Sequence, residues 1–234
     1  MEAKLIHQIE NGLIWRIIFN EENPNIILVE IREQILWQTK FVILDITQNI
    51  FSNFVLEESW WITPVFFDNK HIFFYFYANS EKPIPTELWT YDYAQNKIIQ
   101  KTNDIRIDFL TNKKEKKSLF FETFYYQENE EYFDTLKKFI EIKSKNKDKD
   151  NDKTKIIKNI AYIEMDNFLV INYFSVHENI YTENLWITDK KGNIIEKKVF
   201  EIAENFYIGE RIYIQEKKLI YIKQKTTIYI YAII

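Results

Sequence analysis

Along most of the chain, short apolar runs alternate with polar turns, a pattern that predicts strands rather than helices. Gly12–Phe19, Ile26–Arg32, Thr39–Ile46 and Ile50–Leu56 form a first group of runs. Ile62–Phe67, His71–Tyr77, Leu88–Tyr93 and Lys97–Lys101 form a second. Pro64 lies inside one run, and a residue without an N–H predicts an edge strand or a bulge there. Ile105–Leu110 and Ser118–Tyr126 come next, then Ile160–Met165, Phe168–Phe174, Asn184–Thr188 and Ile194–Val199. Lys158-Asn159 interrupts the apolar pattern, so the strand there is expected to start at Ile160. Phe206–Gln215, Leu219–Lys223 and Thr226–Ile234 close the chain as a three-strand meander. The last run has no charge, Pro or Gly, the profile of an aggregation hazard if left open. It must therefore be paired, with an N-terminal segment such as Gly12–Phe19 as the expected partner.

One segment departs from this pattern. Within residues 128–142 the apolar positions Tyr132, Phe133, Leu136, Phe139, Ile140 and Ile142 recur at mostly helical spacing. Glu128, Glu130 and Glu131 open the segment and Lys137 and Lys138 follow, the order that suits a helix dipole. Residues 143–155 hold only Lys, Asp, Asn, Ser and Thr, with nothing to bury, and predict a mobile loop.

The chain has 234 residues, 46% of them hydrophobic and 28% charged, enough apolar material for a folded core. Aromatic residues reach 17%, and with abundant isoleucine they reinforce the strand reading. The same enrichment, alongside Lys and Asn and with little Gly, is also what a genome-wide compositional bias produces. With only three glycines, turns that need positive φ fall to Asn before other residues. The net charge of −4 disfavours nucleic acid as a partner, since gripping a phosphate backbone takes a basic excess. The absence of cysteine removes disulfides, thiolate catalysis and cysteine-held metals. No signal peptide and no membrane span is readable, so a cytoplasmic, membrane-free monomer is expected.

Three hairpins look alike. Val42-Ile43-Leu44-Asp45 leads through Thr47-Gln48-Asn49 into Ile50. Leu88-Trp89-Thr90-Tyr91-Asp92 leads through Gln95-Asn96 into Lys97-Ile98. Leu185-Trp186-Ile187-Thr188-Asp189 leads through Gly192-Asn193 into Ile194. The three aspartates fall at intervals of about one and two units of 40–50 residues, the period of four-stranded repeat units. These stretches resemble the outer hairpin of β-propeller blades, above all the quinoprotein-like repeat with its Leu-x-x-x-Asp-x-x-x-Gly-Lys pattern. Together with Glu57-Glu58-Ser59-Trp60-Trp61, they also resemble an uncharacterised bacterial family with propeller-like folding. The chain departs from these patterns: it has no Trp-Asp dipeptide, and Asn49 and Asn96 stand where the turn glycine is usual. The resemblance implies a mostly β, propeller-like single domain over 1–234, with about five blades at 12–56, 62–101, 105–126, 160–199 and 205–234. A large antiparallel sandwich or open meander is the alternative. No quinone-binding residue is carried over, and no cofactor is implied.

Chemistry is thinly signalled. No phosphate-binding glycine loop, nucleophile elbow, zinc motif or calcium loop is present. With His7, His71 and His177 as the only histidines, a multi-histidine metal centre is not expected. Glu57, Glu58, Trp60 and Trp61 form the most distinctive cluster. On a strand the two tryptophans would face opposite sides, one toward a core and one toward a surface, where Trp beside a carboxylate can stack a sugar or hold a cation. Two packing tryptophans are the alternative reading. His71 beside a turn, and His177 with Glu178, complete the candidate ligand-binding set, the last pair being able to serve acid–base chemistry. The expected function is a non-enzymatic binding or scaffold protein acting on a protein or a small polar ligand. The alternative is a hydrolase or lyase with carboxylates and His at a central opening.

Overall fold

The computed structural model describes residues 3–8, 12–48, 50–57, 59–78, 84–105, 124–145, 154–202, 212–215, 218–223 and 225–232. Contacts group the chain into two compact units, one made of residues 2–118 with 220–232 and the other chiefly of residues 119–219. Among the described residues, all the sheets are antiparallel and one α-helix accompanies them.

In the first unit, β2 (Leu13–Phe19), β3 (Ile26–Glu33), β4 (Gln38–Asp45) and β5 (Ile50–Val55) pair in sequence order as one meander. A second meander follows, built from β6 (Ile62–Phe67), β7 (His71–Phe76), β8 (Glu87–Asp92) and β9 (Lys97–Thr102). A shared core of Leu28, Phe41, Phe54, Phe67, Phe74 and Tyr91 lies between the two meanders. Its rings interlock: Phe41 meets Phe74 edge-on at 4.9 Å and Phe54 stacks on Tyr91 at 4.3 Å. Burial pushes the Tyr91 hydroxyl up to about 12, and it is hydrogen-bonded to Asn96. Pro64 meets both sequence expectations, since β6 is the edge strand of its sheet and its register slips between Pro64 and Phe66.

The second unit holds a five-stranded meander of β10 (Phe124–Gln127), β11 (Lys155–Glu164), β12 (Phe168–His177), β13 (Ile180–Asp189) and β14 (Ile194–Ile202). The end of the expected unit 105–126 thus lies in the same sheet as residues 160–199. Phe124–Gln127 adds to the edge of the sheet that β11 continues, and residues 106–123 lie outside the described set. With the sheet of the C-terminal strands, the described residues form four sheets. Lys158-Asn159 does not end a strand. Lys158 takes positive φ (67°) in a bulge between Ile157 and Ile160, so β11 runs through it from Lys155.

The helix, α1, spans Glu131–Lys145, a few residues later than the spacing placed it. Asn129 takes a left-handed turn (φ 84°), and the Glu130 carbonyl accepts the Phe133 and Asp134 amides, so residues 128–130 form the approach to the helix rather than its first turn. Phe133 and Ile140 pack against Ile156, Ile160, Ile171, Tyr173 and Trp186 of the sheet. The expected mobile loop overlaps the helix end at 143–145 and β11 at 155, and residues 146–153 lie outside the described set.

β15 (Ile212–Gln215), β16 (Lys218–Lys223) and β17 (Thr227–Ala232) make the last sheet, and β1 (Ala3–Gln8) completes it beyond β17. The C-terminal run is thus paired on both edges. Its N-terminal partner is Ala3–Gln8 rather than Gly12–Phe19, with Ala3 opposite Tyr231 and Gln8 opposite Thr227.

The repeated aspartate has a local structural meaning. Asp45 Oδ1 accepts the Thr47 and Gln48 amides, Asp92 Oδ1 accepts that of Gln95, and Asp189 Oδ1 accepts that of Asn193. Each carboxylate closes the turn of the last hairpin in its sheet, an Asx turn that satisfies otherwise open amides. The Asn193 side chain and backbone bonds hold the Asp189 carboxyl below the usual carboxylate range.

Deleting residues 227–232 should leave no soluble folded protein, because β17 is a central strand carrying buried Ile228, Ile230 and Tyr231. Burial of such side chains contributes roughly 1.5–3 kcal/mol each, against a net stability of about 5–15 kcal/mol for a whole domain. Size-exclusion chromatography and circular dichroism check this. A folded monomeric deletion product would show that β17 is dispensable.

Candidate functional site

The sequence-predicted residues fall at separate places. His71 opens β7 with its Nδ1 3.9 Å from Asp68 Oδ1, and Asp68 also accepts the Lys70 and His71 amides, so this carboxylate is already occupied in closing a turn. His177 is the last residue of β12, and its Nε2 lies 4.0 Å from Glu178 Oε1. Glu178 and Asn179 both take positive φ (50° and 66°) and make the two-residue turn to β13. The connection thought to carry His177 is therefore a tight hairpin between two ten-residue strands. Glu58 lies outside the described residues.

His177 borders a cleft of about 260 Å³ within the second unit, together with Glu141, Ser144, Tyr173, Ser175 and Lys197. Two of its hydroxyls, those of Ser175 and Thr182, are already engaged. Ser175 Oγ lies 2.7 Å from Thr182 Oγ1 and accepts a bond from Asn184 Nδ2 at 3.0 Å. No hydrogen bond joins Ser175 to His177, so the nucleophile–base pairing that hydrolytic chemistry needs is not formed here. Burial raises the Tyr173 hydroxyl far above its ordinary value, which keeps it neutral. Among the described residues, no three His, Asp or Glu side chains gather in a way that could hold a metal ion. No described helix is long and apolar enough to cross a membrane.

Glu57, Trp60 and Trp61 do come together, but not on a strand. Ser59–Trp61 forms a turn of 3-10 helix ahead of β6. The alternation expected of a strand is therefore lost, and both tryptophans line one groove instead of facing opposite sides. Leu36, Trp37, Gln38 and Leu56 complete its wall, around a volume of about 390 Å³. That is within the range of small-molecule sites, roughly 300–1,000 Å³.

The groove is built from the β3–β4 hairpin and the chain that follows β5. The hairpin turn covers residues 34–37, between Glu33 and Gln38. Its apolar residues stand in solvent: Ile35 is 90%, Leu36 63% and Trp37 68% exposed, beside Trp61 at 41%. Trp37 takes left-handed φ (51°). The β8–β9 hairpin has a turn of the same length over residues 93–96, and there Asn96 holds the equivalent last position (φ 53°). Asn tolerates this conformation and Trp does not, at a cost of about 1–3 kcal/mol. What the chain gains at Trp37 is a ring over the groove, its centroid 5.0 Å from that of Trp60 and tilted by 58°.

Behind the groove stands a charged support. Trp15 falls at a register slip in β2, between Ile14 and Arg16. The Arg32 guanidinium sits over both Trp15 (4.9 Å) and Trp60 (5.4 Å), and Lys225 sits over Trp15 at 4.8 Å. Arg32 Nε donates to Glu30 Oε1 at 2.7 Å, and Glu30 is fully buried. Burial raises the Glu30 carboxyl above its ordinary value despite the opposing pull of Arg32 and Arg16. In the groove itself Glu57 is exposed, and among the described residues it has neither a hydrogen-bond nor an ion-pair partner.

A family model described as "Domain of unknown function (DUF4905)" matches residues 20–99, about a third of the chain. The matched stretch includes the whole groove wall. No curated protein and no solved structure matches the chain.

Two outcomes follow for this site. Trp37→Asn relieves backbone strain but loses a ring pair of about 0.5–1.5 kcal/mol, so the two effects offset and stability should change by about 1 kcal/mol or less, read by urea unfolding. A larger loss would mean that Trp37 is a packing residue. For Glu30, the folded carboxyl keeps its proton to a higher pH than the ordinary value of 4.5. The folded state then binds more protons than the unfolded one, so the Glu30 contribution falls as pH rises through that window. Unfolding free energy of wild type minus Glu30→Gln should therefore decline from pH 4.5 upward. A difference that grows with pH would mean that the Arg32 pair outweighs burial.

Proposed function

We propose that the protein is a non-enzymatic binding protein that takes a small polar ligand in the groove of Trp37, Trp60, Trp61, Gln38 and Glu57. The observation that carries this reading is the gathering of three tryptophans, two of them exposed, around one concavity, one in a conformation that tryptophan disfavours. Isolated apolar residues on a surface are ordinary, but a contiguous patch rimmed by polar groups marks a recognition site. Gln38 supplies both donor and acceptor, Glu57 supplies acceptors only, and the rings supply flat apolar area.

Of the candidate residues, the groove uses Glu57, Trp60 and Trp61, while His71, His177 and Glu178 take no part in this reading. The scaffold is read as propeller-like. In its favour, three of the four described sheets follow chain order, and the sheet of C-terminal strands is completed by N-terminal β1. An antiparallel sandwich is the alternative for the same four sheets.

A ligand-observed NMR screen of small polar compounds against wild type and a Trp37→Asn/Trp61→Ala double variant tests the groove. The expected outcome is a set of binders to wild type that the folded double variant loses. Binders that all persist in the variant would overturn the site, and no binder of any class would overturn the function.

A further inference from the structure

Three tryptophans and one unpaired carboxylate are a narrow chemical specification. An indole face attracts a cation through its quadrupole, and the attraction is greatest for cations that shed water easily. A primary ammonium holds its hydration shell strongly, whereas a quaternary ammonium is sheathed in methyl groups and is not so held. The methyls also need apolar contact, which Leu36 and Leu56 offer in the same groove. The charges point the same way. Arg32 behind Trp60 is matched by Glu30, while Glu57 has no partner among the described residues, so the lining has one uncompensated negative charge.

From this, and resting on the binding role proposed above, we infer that the groove binds a small free quaternary ammonium compound, its cationic head against the groove wall of Trp37, Trp60 and Trp61 and its charge facing Glu57. Gln38 is placed to meet a hydroxyl or carboxylate on the rest of such a molecule, since its amide both donates and accepts. A neutral sugar would use the rings and Gln38 but would leave Glu57 without a counter-charge, which is why the cation is favoured over the sugar.

The test uses choline and its uncharged isostere dimethylbutanol, which has the same shape with carbon in place of nitrogen. Binding to the full chain is read by tryptophan fluorescence and calorimetry. Choline is expected to bind about tenfold or more tightly than the isostere, the advantage shrinking in high salt and in Glu57→Gln, an exposed substitution that leaves the fold intact. Trp61→Ala should abolish choline binding. Equal binding of the isostere would overturn the cation inference and leave a binding groove standing. Choline binding that is unchanged in both Glu57→Gln and Trp61→Ala would place the site elsewhere and overturn it. A trimethyl-lysine peptide or phosphatidylcholine vesicles bound more tightly than choline would overturn the free compound as the occupant. No response to choline, with other ligands still lost in the Trp37→Asn/Trp61→Ala variant, would overturn this inference alone. No ligand of any class at the groove would overturn both readings.

Discussion

The candidate site depends on one ion pair. Glu30 is buried in the middle of β3, and a carboxylate held there without a partner would be costly. Arg32, two residues along the same strand and so on the same face, supplies the partner at 2.7 Å. The bond fixes the guanidinium plane, and that plane fills the space between the rings of Trp15 and Trp60. Trp60 in turn holds Trp37, whose backbone is strained. The chain of contacts thus runs from a buried charge to an exposed ring, each member positioned by the one before it. Lysine at position 32 could neutralise Glu30, but it has no flat face to lay against two indoles.

Much of the fold was legible because strand pairing leaves a period of two and turns leave distinctive residues. The first two meanders match the apolar runs read from the chain, with boundaries shifted by one or two residues. The repeated aspartates were legible as a pattern before their role was visible: Asp45, Asp92 and Asp189 each close a turn by accepting backbone amides. What periodicity could not show was a strand that tolerates an interruption. Lys158-Asn159 looks like a break because two polar residues stop the apolar alternation, yet a bulge lets the ladder resume in new register. It also could not show how many sheets a set of strands makes. Whether β10 starts a sheet or joins one depends on pairing across residues 128–154, and that separation leaves no local signal.

The groove residues differ in how far the sequence points to them. Glu57, Trp60 and Trp61 are conspicuous by type, but the opposite facing that a strand would give the tryptophans does not arise, because Ser59–Trp61 makes a 3-10 turn. Trp37 was missed although a signal existed: Ile35-Leu36-Trp37 stands where a hairpin turn calls for polar residues. The rest of the support, Trp15 with Arg32, had no signal at all. Their meeting comes from a register slip in β2 and a salt bridge on β3, both products of pairing rather than of spacing.

The β3–β4 and β8–β9 hairpins, each with a four-residue turn, bear on the binding role proposed for Trp37. Both turns end in a left-handed residue, and Asn96 serves β8–β9 with less strain and also bonds Tyr91. An asparagine at position 37 would close the β3–β4 turn equally well and would remove an exposed indole from solvent. A residue that worsens both the backbone energy and the surface energy contributes little to folding that its replacement could not supply. On the binding role proposed for the groove, its contribution lies in what its ring faces, a second and third tryptophan and an unmatched carboxylate. Local conflict between sequence and structure, set within hairpins that otherwise follow the rules of turn chemistry, is where function is expected to sit.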